Sequence, residues 1–265
     1  MRRPLSKMMI GVMYIMVLVP MIPLILWSFA FKWKYPDMLP EWSTRAWDYV
    51  FSQNAMVEAI INSILISAIV TVLCFFIAFT AAKAIGTRKF RFKRALEVTL
   101  LLPALIPTLT IAMGMQKMFV LTPLYSSFFG MIIGQLIFAL PYTIFCLSDV
   151  FKNYDPDYEA QAVALGANSF DVFFHVTLPS IAPGAVVAAM FTYLTAWSQY
   201  LIFVMVGDPT VRTLPVLLFN MIGGSDTAIA AALSIVFIVP VLVLLIFSSI
   251  LFSNSGVSSG GIDKL

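Results

Sequence analysis

Six runs of this chain are long and almost free of charge: about residues 8–31, 59–82, 97–116, 126–148, 182–206 and 228–252. Each reaches the roughly 20 residues that an α-helix needs to cross hydrocarbon. Lipid offers no hydrogen bonds, so a spanning segment must be a helix or part of a closed barrel. Barrel strands alternate over about ten residues, whereas these runs are continuously apolar. A water-soluble core cannot absorb them either. Of 265 residues, 61% are hydrophobic and 11% charged, against about a quarter charged in soluble domains. The sequence therefore predicts an all-α, polytopic membrane protein of six transmembrane helices.

The first run follows Arg2, Arg3 and Lys7, as a cleavable signal peptide would. Its length and the lack of a small-residue cleavage site favour a span. Lysine and arginine set the orientation. With the N-terminus in the cytoplasm, 11 of the 16 basic residues lie inside and 5 outside, which puts both termini inside. The densest group is "KAIGTRKFRFKR" at 83–94, which reads as a topology anchor and anionic-lipid contact. The outer loop carries Trp33, Tyr35, Trp42, Trp47 and Tyr49, either an interfacial aromatic belt or a surface for an extracytoplasmic partner. Residues 1–56 thus hold one span and an outer loop, 57–252 a core domain, and 253–265 a Gly/Ser-rich flexible tail. Cys74 and Cys146 sit in apolar runs without metal spacing and read as packing residues. The single histidine, His175, cannot build a histidine metal site alone.

Between the fourth and fifth runs lies a polar inner loop, 151–181, containing "YEAQAVALGANSFDVFFHVTLP". Asp155-Pro156 is a helix start, and Asp157 and Glu159 suit the first turn of the helix dipole. Gly166 is a C-terminal cap. Asn168 or Ser169 can cap a second short helix, which Leu178-Pro179 should end, because a residue before proline is pushed out of the α region. The first helix has small residues at Ala160, Ala162 and Ala164 and the second has Phe170, Phe173 and Phe174. Such a pair can seat in a groove on another protein or touch lipid. His175 reads as an interfacial residue or a pH sensor.

The spacing from Gly166 through nine residues to Val176-Thr177-Leu178-Pro179 resembles the cytoplasmic signature loop of ABC importer permeases of the binding-protein-dependent, six-helix type. "INSILISAIVTVLCFFIAFTAAKA" and "FNMIGGSDTAIAAALSIVFIVPVL" are similar to the start and end of that family's core, so about residues 57–252 are covered. The wording is closest to spermidine/putrescine-type permeases. The family's Glu falls on Ala160 and its two alanines on Gln161 and Ala162. Glu159 stands one position early, so the resemblance transfers no ion pair to it.

The resemblance implies the type I importer fold, in a bacterial plasma (inner) membrane. It implies a second permease, more often a different chain than a copy, two cytoplasmic ATPase subunits and an extracytoplasmic solute-binding protein. The first loop helix would be the coupling helix, with Ala160, Ala162 and Leu165 as its docking surface beside Glu159 and Gln161. Gly166 would permit the turn, and Leu178 and Pro179 would set the angle into the fifth span. ATP and Mg would bind the ATPase subunits and no cofactor this chain, which has no Gly-x-x-x-x-Gly-Lys-Ser/Thr. It would be no enzyme alone, and nothing suggests nucleic acid.

The runs hold almost no ionisable residue, which argues against an ion-gradient-driven secondary carrier. Candidate pathway residues are Asn62 and Ser63, the Pro103/Pro107 pair, expected to kink or unwind its helix, and Trp197, Ser198, Gln199 and Tyr200. Each has an ordinary alternative in interhelical hydrogen bonding or static curvature. The first expectation for the solute is a polyamine; phosphonate, ferric ion and thiamine are the others.

Overall fold

The computed structural model describes residues 11–254, except Met13, Tyr14, Val17, Lys34, Tyr35, Pro36 and Ser225, with backbone alone at 251–254. The basic N-terminus and the tail from Ser255 lie outside the described residues. The described part is mainly helical, as the apolar runs require. Its compact units are two: one drawn from Met1–Asn62 and Arg212–Val241, the other from Ser63–Val211 and Leu242–Leu265.

In the first unit, helix α1 (Met21–Ser28) is followed by a short antiparallel pair, β1 (Ala30–Lys32) and β2 (Glu41–Trp42), and by α2 (Arg45–Ser52). The first expected span thus stops short of Phe31, which lies in β1, and its beginning is outside the described residues. The outer-loop aromatics pack on each other: Trp27 on Trp33 (5.0 Å between ring centroids), Phe29 on Trp47 (5.7 Å). Arg45 of α2 pairs with Asp226. Asp226 Oδ1 also accepts from the amide of Ile229 (3.3 Å). It thereby caps α11 (Thr227–Asn254), which includes the first two residues of the expected tail.

In the second unit, the long helices are α3 (Asn54–Thr87), α6 (Phe128–Lys152) and α8 (Ser169–Trp197). With α11 they make four helices long and apolar enough to span. The expected third span, 97–116, is not one rod. It is α4 (Lys93–Leu105) and α5 (Thr108–Phe119), bent by 96°. Pro107 removes a rung and pushes Ile106 into extended geometry (φ −89°, ψ 136°), while Pro103 stays inside α4. The expected fifth span, 182–206, is likewise interrupted. It ends at Trp197 and resumes as α9 (Leu201–Val206), so Ser198, Gln199 and Tyr200 lie in a break rather than mid-helix. α10 (Leu214–Ile222) precedes α11.

Small residues let α3, α6 and α8 approach closely. Ala78, Ala82 and Ile85 meet Ile144, Leu147 and Phe151, with Ile181, Ala185 and Ala188 from α8. A Cβ on Gly184 would stand 2.2 Å from Val150 Cγ2. Lipid gives apolar side chains no reason to hide from it, so helices associate through such close packing and through polar pairs. One such pair is buried here, Thr143 Oγ1 and Thr192 Oγ1 at 2.7 Å.

Candidate functional site

The polar loop folds as a helix, a glycine turn and a second helix. Helix α7 (Asp157–Ala164) begins where Asp155 Oδ1 accepts from the amide of Asp157 (3.0 Å). At its end Gly166 adopts φ +90°, a conformation that costs L-residues but not glycine. The Gly166 amide donates to the Val163 carbonyl (2.9 Å) and the Ala167 amide to that of Ala162 (3.0 Å), the paired bonds of a Schellman cap. Asn168 Oδ1 then caps α8, accepting from the amides of Phe170 (2.9 Å) and Asp171 (3.0 Å).

Leu178-Pro179 does not end the second helix. Val172–Thr177 is a π-helical turn, Leu178 keeps α geometry (φ −62°, ψ −46°), and α8 continues to Trp197. The wider turn ahead of the proline ring receives it without a break. It also turns Thr177, buried at the root of the loop, toward α7.

Three donors converge on Glu159. Lys83 Nζ of α3 donates to both carboxylate oxygens (2.7 and 2.6 Å), Thr177 Oγ1 to Oε1 (2.7 Å) and Tyr154 OH to Oε1 (2.9 Å). The Glu159 side chain is 19% exposed and that of Lys83 34%. Burial, the largest single effect, pushes the Glu159 carboxyl up. The hydrogen bonds from Lys83, Thr177 and Tyr154 and the Lys83 charge together outweigh it and hold the group below its ordinary value. Burial, with the neighbouring Glu159, pushes the Tyr154 hydroxyl up despite Thr177. The ion pair that the resemblance did not transfer to Glu159 is present within this chain, with Lys83.

Aromatic rings brace the same root. Phe79 meets Phe151 (5.4 Å) and Phe173 (5.2 Å), and Phe151 meets Tyr154 (5.7 Å), all edge-on. The tip is bare by contrast. Leu165 is 88% exposed and Phe170 77%, with Tyr158 and Val163 also exposed. Ala160, Gln161 and Gly166 are exposed and Ala162 half-buried; Leu178 is half-buried and Pro179 exposed. His175 is exposed, its Nδ1 3.2 Å from the Asp171 carbonyl oxygen.

Residues 75–255, more than half of the chain, match the family model described as "Binding-protein-dependent transport system inner membrane component". The chain belongs to that family. The permease is 31% identical over 219 residues, 80% of this chain and 79% of the relative, to the trehalose transport system permease protein of Mycobacterium tuberculosis (strain CDC 1551 / Oshkosh). It is 22% identical over 240 residues, 91% and 93% of the two chains, to the spermidine/putrescine transport system permease protein of Haemophilus influenzae (strain ATCC 51907 / DSM 11121 / KW20 / Rd). A solved bacterial ABC transporter involved in import of the acidic polysaccharide alginate shares its fold, with TM-score 0.70 at 15% identity over 92% of this chain and 94% of that one. The protein is thus a multi-pass permease subunit of a bacterial plasma-membrane ABC importer with the type I fold, a non-catalytic component.

The pathway candidates differ in their surroundings. Asn62 Nδ2 donates to the Arg212 carbonyl (3.1 Å), and Ser63 is buried. Pro103 is half-buried and Pro107 exposed. Trp197 is buried and stacks on Tyr193 (6.1 Å, 13°). Ser198 is exposed, while Gln199 and Tyr200 are half-buried. The half-helices after the two breaks do come together: Ala112 and Met115 of α5 pack with Ile202 and Val206 of α9. Sequence reasoning missed Lys83, Tyr154 and Thr177 as partners of Glu159, and Tyr158 and Val163 as exposed surface. It also missed Gln135 of α6, fully buried with both amide heavy atoms unpartnered among the described residues. Glutamine in an apolar run was the available signal.

Proposed function

We propose that the α7–α8 turn is the coupling contact through which this permease half is driven by a cytoplasmic ATPase subunit. One observation carries the reading: an apolar tip, Val163, Leu165 and Phe170, stands exposed around the α7–α8 turn, whose root is locked by Lys83, Tyr154 and Thr177. A tip that docks and a root that does not give are what a lever requires, and a short apolar helix fits a groove on a partner. The positive-inside count supports a cytoplasmic position for the turn. In this reading two permease halves, two ATPase subunits holding ATP and Mg, and an extracytoplasmic binding protein complete the importer. The second half is a different chain.

A neutral saccharide is the solute class best supported. The apolar runs contain no Asp or Glu away from their ends to complement a polyamine cation, and the trehalose permease is a relative. A polyamine is the second reading, supported by the spermidine/putrescine permease, which aligns with nearly the whole chain. The test is co-purification with ATPase and binding-protein subunits, followed by uptake into vesicles. Leu165→Glu should abolish ATPase capture while leaving the permease monodisperse. Capture undiminished by that change would overturn the coupling assignment. Uptake of labelled spermidine without disaccharide uptake would overturn the saccharide assignment.

A further inference from the structure

A groove of about 670 Å³ opens beside the locked root, between the end of α3 and the start of α7. Its wall changes character along its length. Phe79 and Ala84 make it apolar, while Lys83 and Arg88 line it with cations, opposite Glu159 and Pro156. Two cations against one carboxylate leave the groove one positive charge in excess. The carboxylate is already satisfied by Lys83, Tyr154 and Thr177. Arg88 is exposed, and its side chain has no hydrogen-bond or ion-pair partner among the described residues. Its guanidinium retains all its donors, in the fork that matches a phosphate.

The surroundings distinguish a lipid from a dissolved anion. Arg88 follows a 34-residue apolar helix, at the point where a span reaches the headgroups. Beyond it the chain alternates Arg88, Lys89, Phe90, Arg91, Phe92, Lys93 and Arg94. Phe90 and Phe92 are 40% and 68% exposed, on a segment with no acid before Glu97. Phenylalanines interleaved with cations seat in the boundary between acyl chains and headgroups.

We infer that this groove is a binding site for the phosphodiester headgroup of one anionic phospholipid, held by Arg88 with Lys83, its acyl chains leaving past Phe79. A single net positive charge matches a monoanionic phosphodiester. Because Lys83 also clamps Glu159, a lipid here would touch the root of α7. That consequence rests on the coupling reading; the binding does not.

The test uses the assembled transporter, delipidated in neutral detergent so that no charged surface remains, and native mass spectrometry. Dioleoyl phosphatidylglycerol, dioleoyl phosphatidylcholine and glycerol phosphate are added separately. Phosphatidylglycerol should be retained in preference to phosphatidylcholine. Arg88→Gln should lower that preference about fivefold, the worth of one basic residue at an anionic surface, and Arg94→Gln, outside the groove, by less than twofold. Both arginines are exposed, so neither substitution disturbs the core, and unchanged thermal unfolding of each variant checks this. Equal retention of the two lipids, or equal loss from the two substitutions, would overturn the site. Displacement of phosphatidylglycerol by an equal concentration of glycerol phosphate would overturn the lipid assignment in favour of a soluble phosphate. None of these results depends on transport, so they separate failure of the site from failure of the coupling reading.

Discussion

Glu159→Gln isolates the lock at the root of α7. The substitution keeps the shape and one acceptor oxygen, so Tyr154 and Thr177, which both donate to Oε1, can keep their bonds. It leaves the Lys83 ammonium facing a neutral amide. A fully buried pair loses about 3–5 kcal/mol when one partner goes, and an exposed pair about 0–1 kcal/mol. Side chains 19% and 34% exposed fall between, so we take about 2 kcal/mol, which makes local opening of α7 roughly 30-fold more frequent. Amide hydrogen exchange at Leu165, Gly166 and Ala167 reads that opening, because their N–H groups close the end of α7. In the double variant with Lys83→Met, part of the loss should return, since the orphaned cation is gone. pH gives a further reading. Glu159 titrates below its ordinary value of 4.5, so its contribution is fully present above 4.5 and is lost as pH falls through the lower folded value. Protection, corrected for intrinsic exchange, should stay flat from pH 7 to 5 and fall below 4.5. Less than threefold change in the variant at neutral pH would refute the lock.

Three other substitutions follow from the packing. Gly166→Ala meets open space but must hold φ +90°, so only the backbone penalty of about 1–2 kcal/mol applies; α7 protection should drop while global thermal unfolding barely moves, and a large global shift would contradict this. Gly86→Ala would put a Cβ 2.4 Å from Phe151 Cβ and 2.8 Å from the Ser148 carbonyl oxygen. It should cost about 1–3 kcal/mol, visible as a lowered Tm of the purified complex; an unchanged Tm would show that α3 and α6 have slack. Gln135→Leu replaces a buried, unpartnered amide by an apolar side chain of similar size and should raise Tm, because about 1–3 kcal/mol of unmet desolvation disappears. A lowered Tm would mean the amide has found partners in the assembled transporter.

What was legible in the sequence is what is decided locally. Asp155, Gly166 and Asn168 act on amides and carbonyls no more than five residues away, and turn chemistry reads at that range. The lock is not local. Lys83 lies 76 residues before Glu159 and Thr177 18 after, and nothing in either stretch says that they meet. Lys83 was also masked by company, because a lysine at the head of a basic cluster reads as part of the cluster. Register against the signature transfers no ion pair to Glu159, because register counts along the chain and the pair depends on position in space. One residue of displacement turns a helical side chain by about 100°. Here that angle aims Glu159 inward at Lys83 and leaves Ala160 facing out.

The prolines show where periodicity stops being informative. Pro141, Pro183 and Pro240 sit inside α6, α8 and α11 without ending them; in α6 and α8 the neighbouring helices hold the chain in place when one rung is lost. Pro103 also stays inside its helix, α4. At Pro107 the rung lost is the one that would have bonded the Pro103 carbonyl, so two consecutive losses fall on one face of one turn. No residue of α4 is buried, and Leu100, which packs against the α3–α6–α8 core, lies before both prolines, so little packing keeps the helix straight there. The break follows from the spacing of the two prolines together with that weak support. The first condition can be read from the letters. The second belongs to the packed protein, and it also explains why Leu178-Pro179 behaves differently. There Val172 and Thr177 are buried on either side of the π turn, and the chain widens rather than breaks.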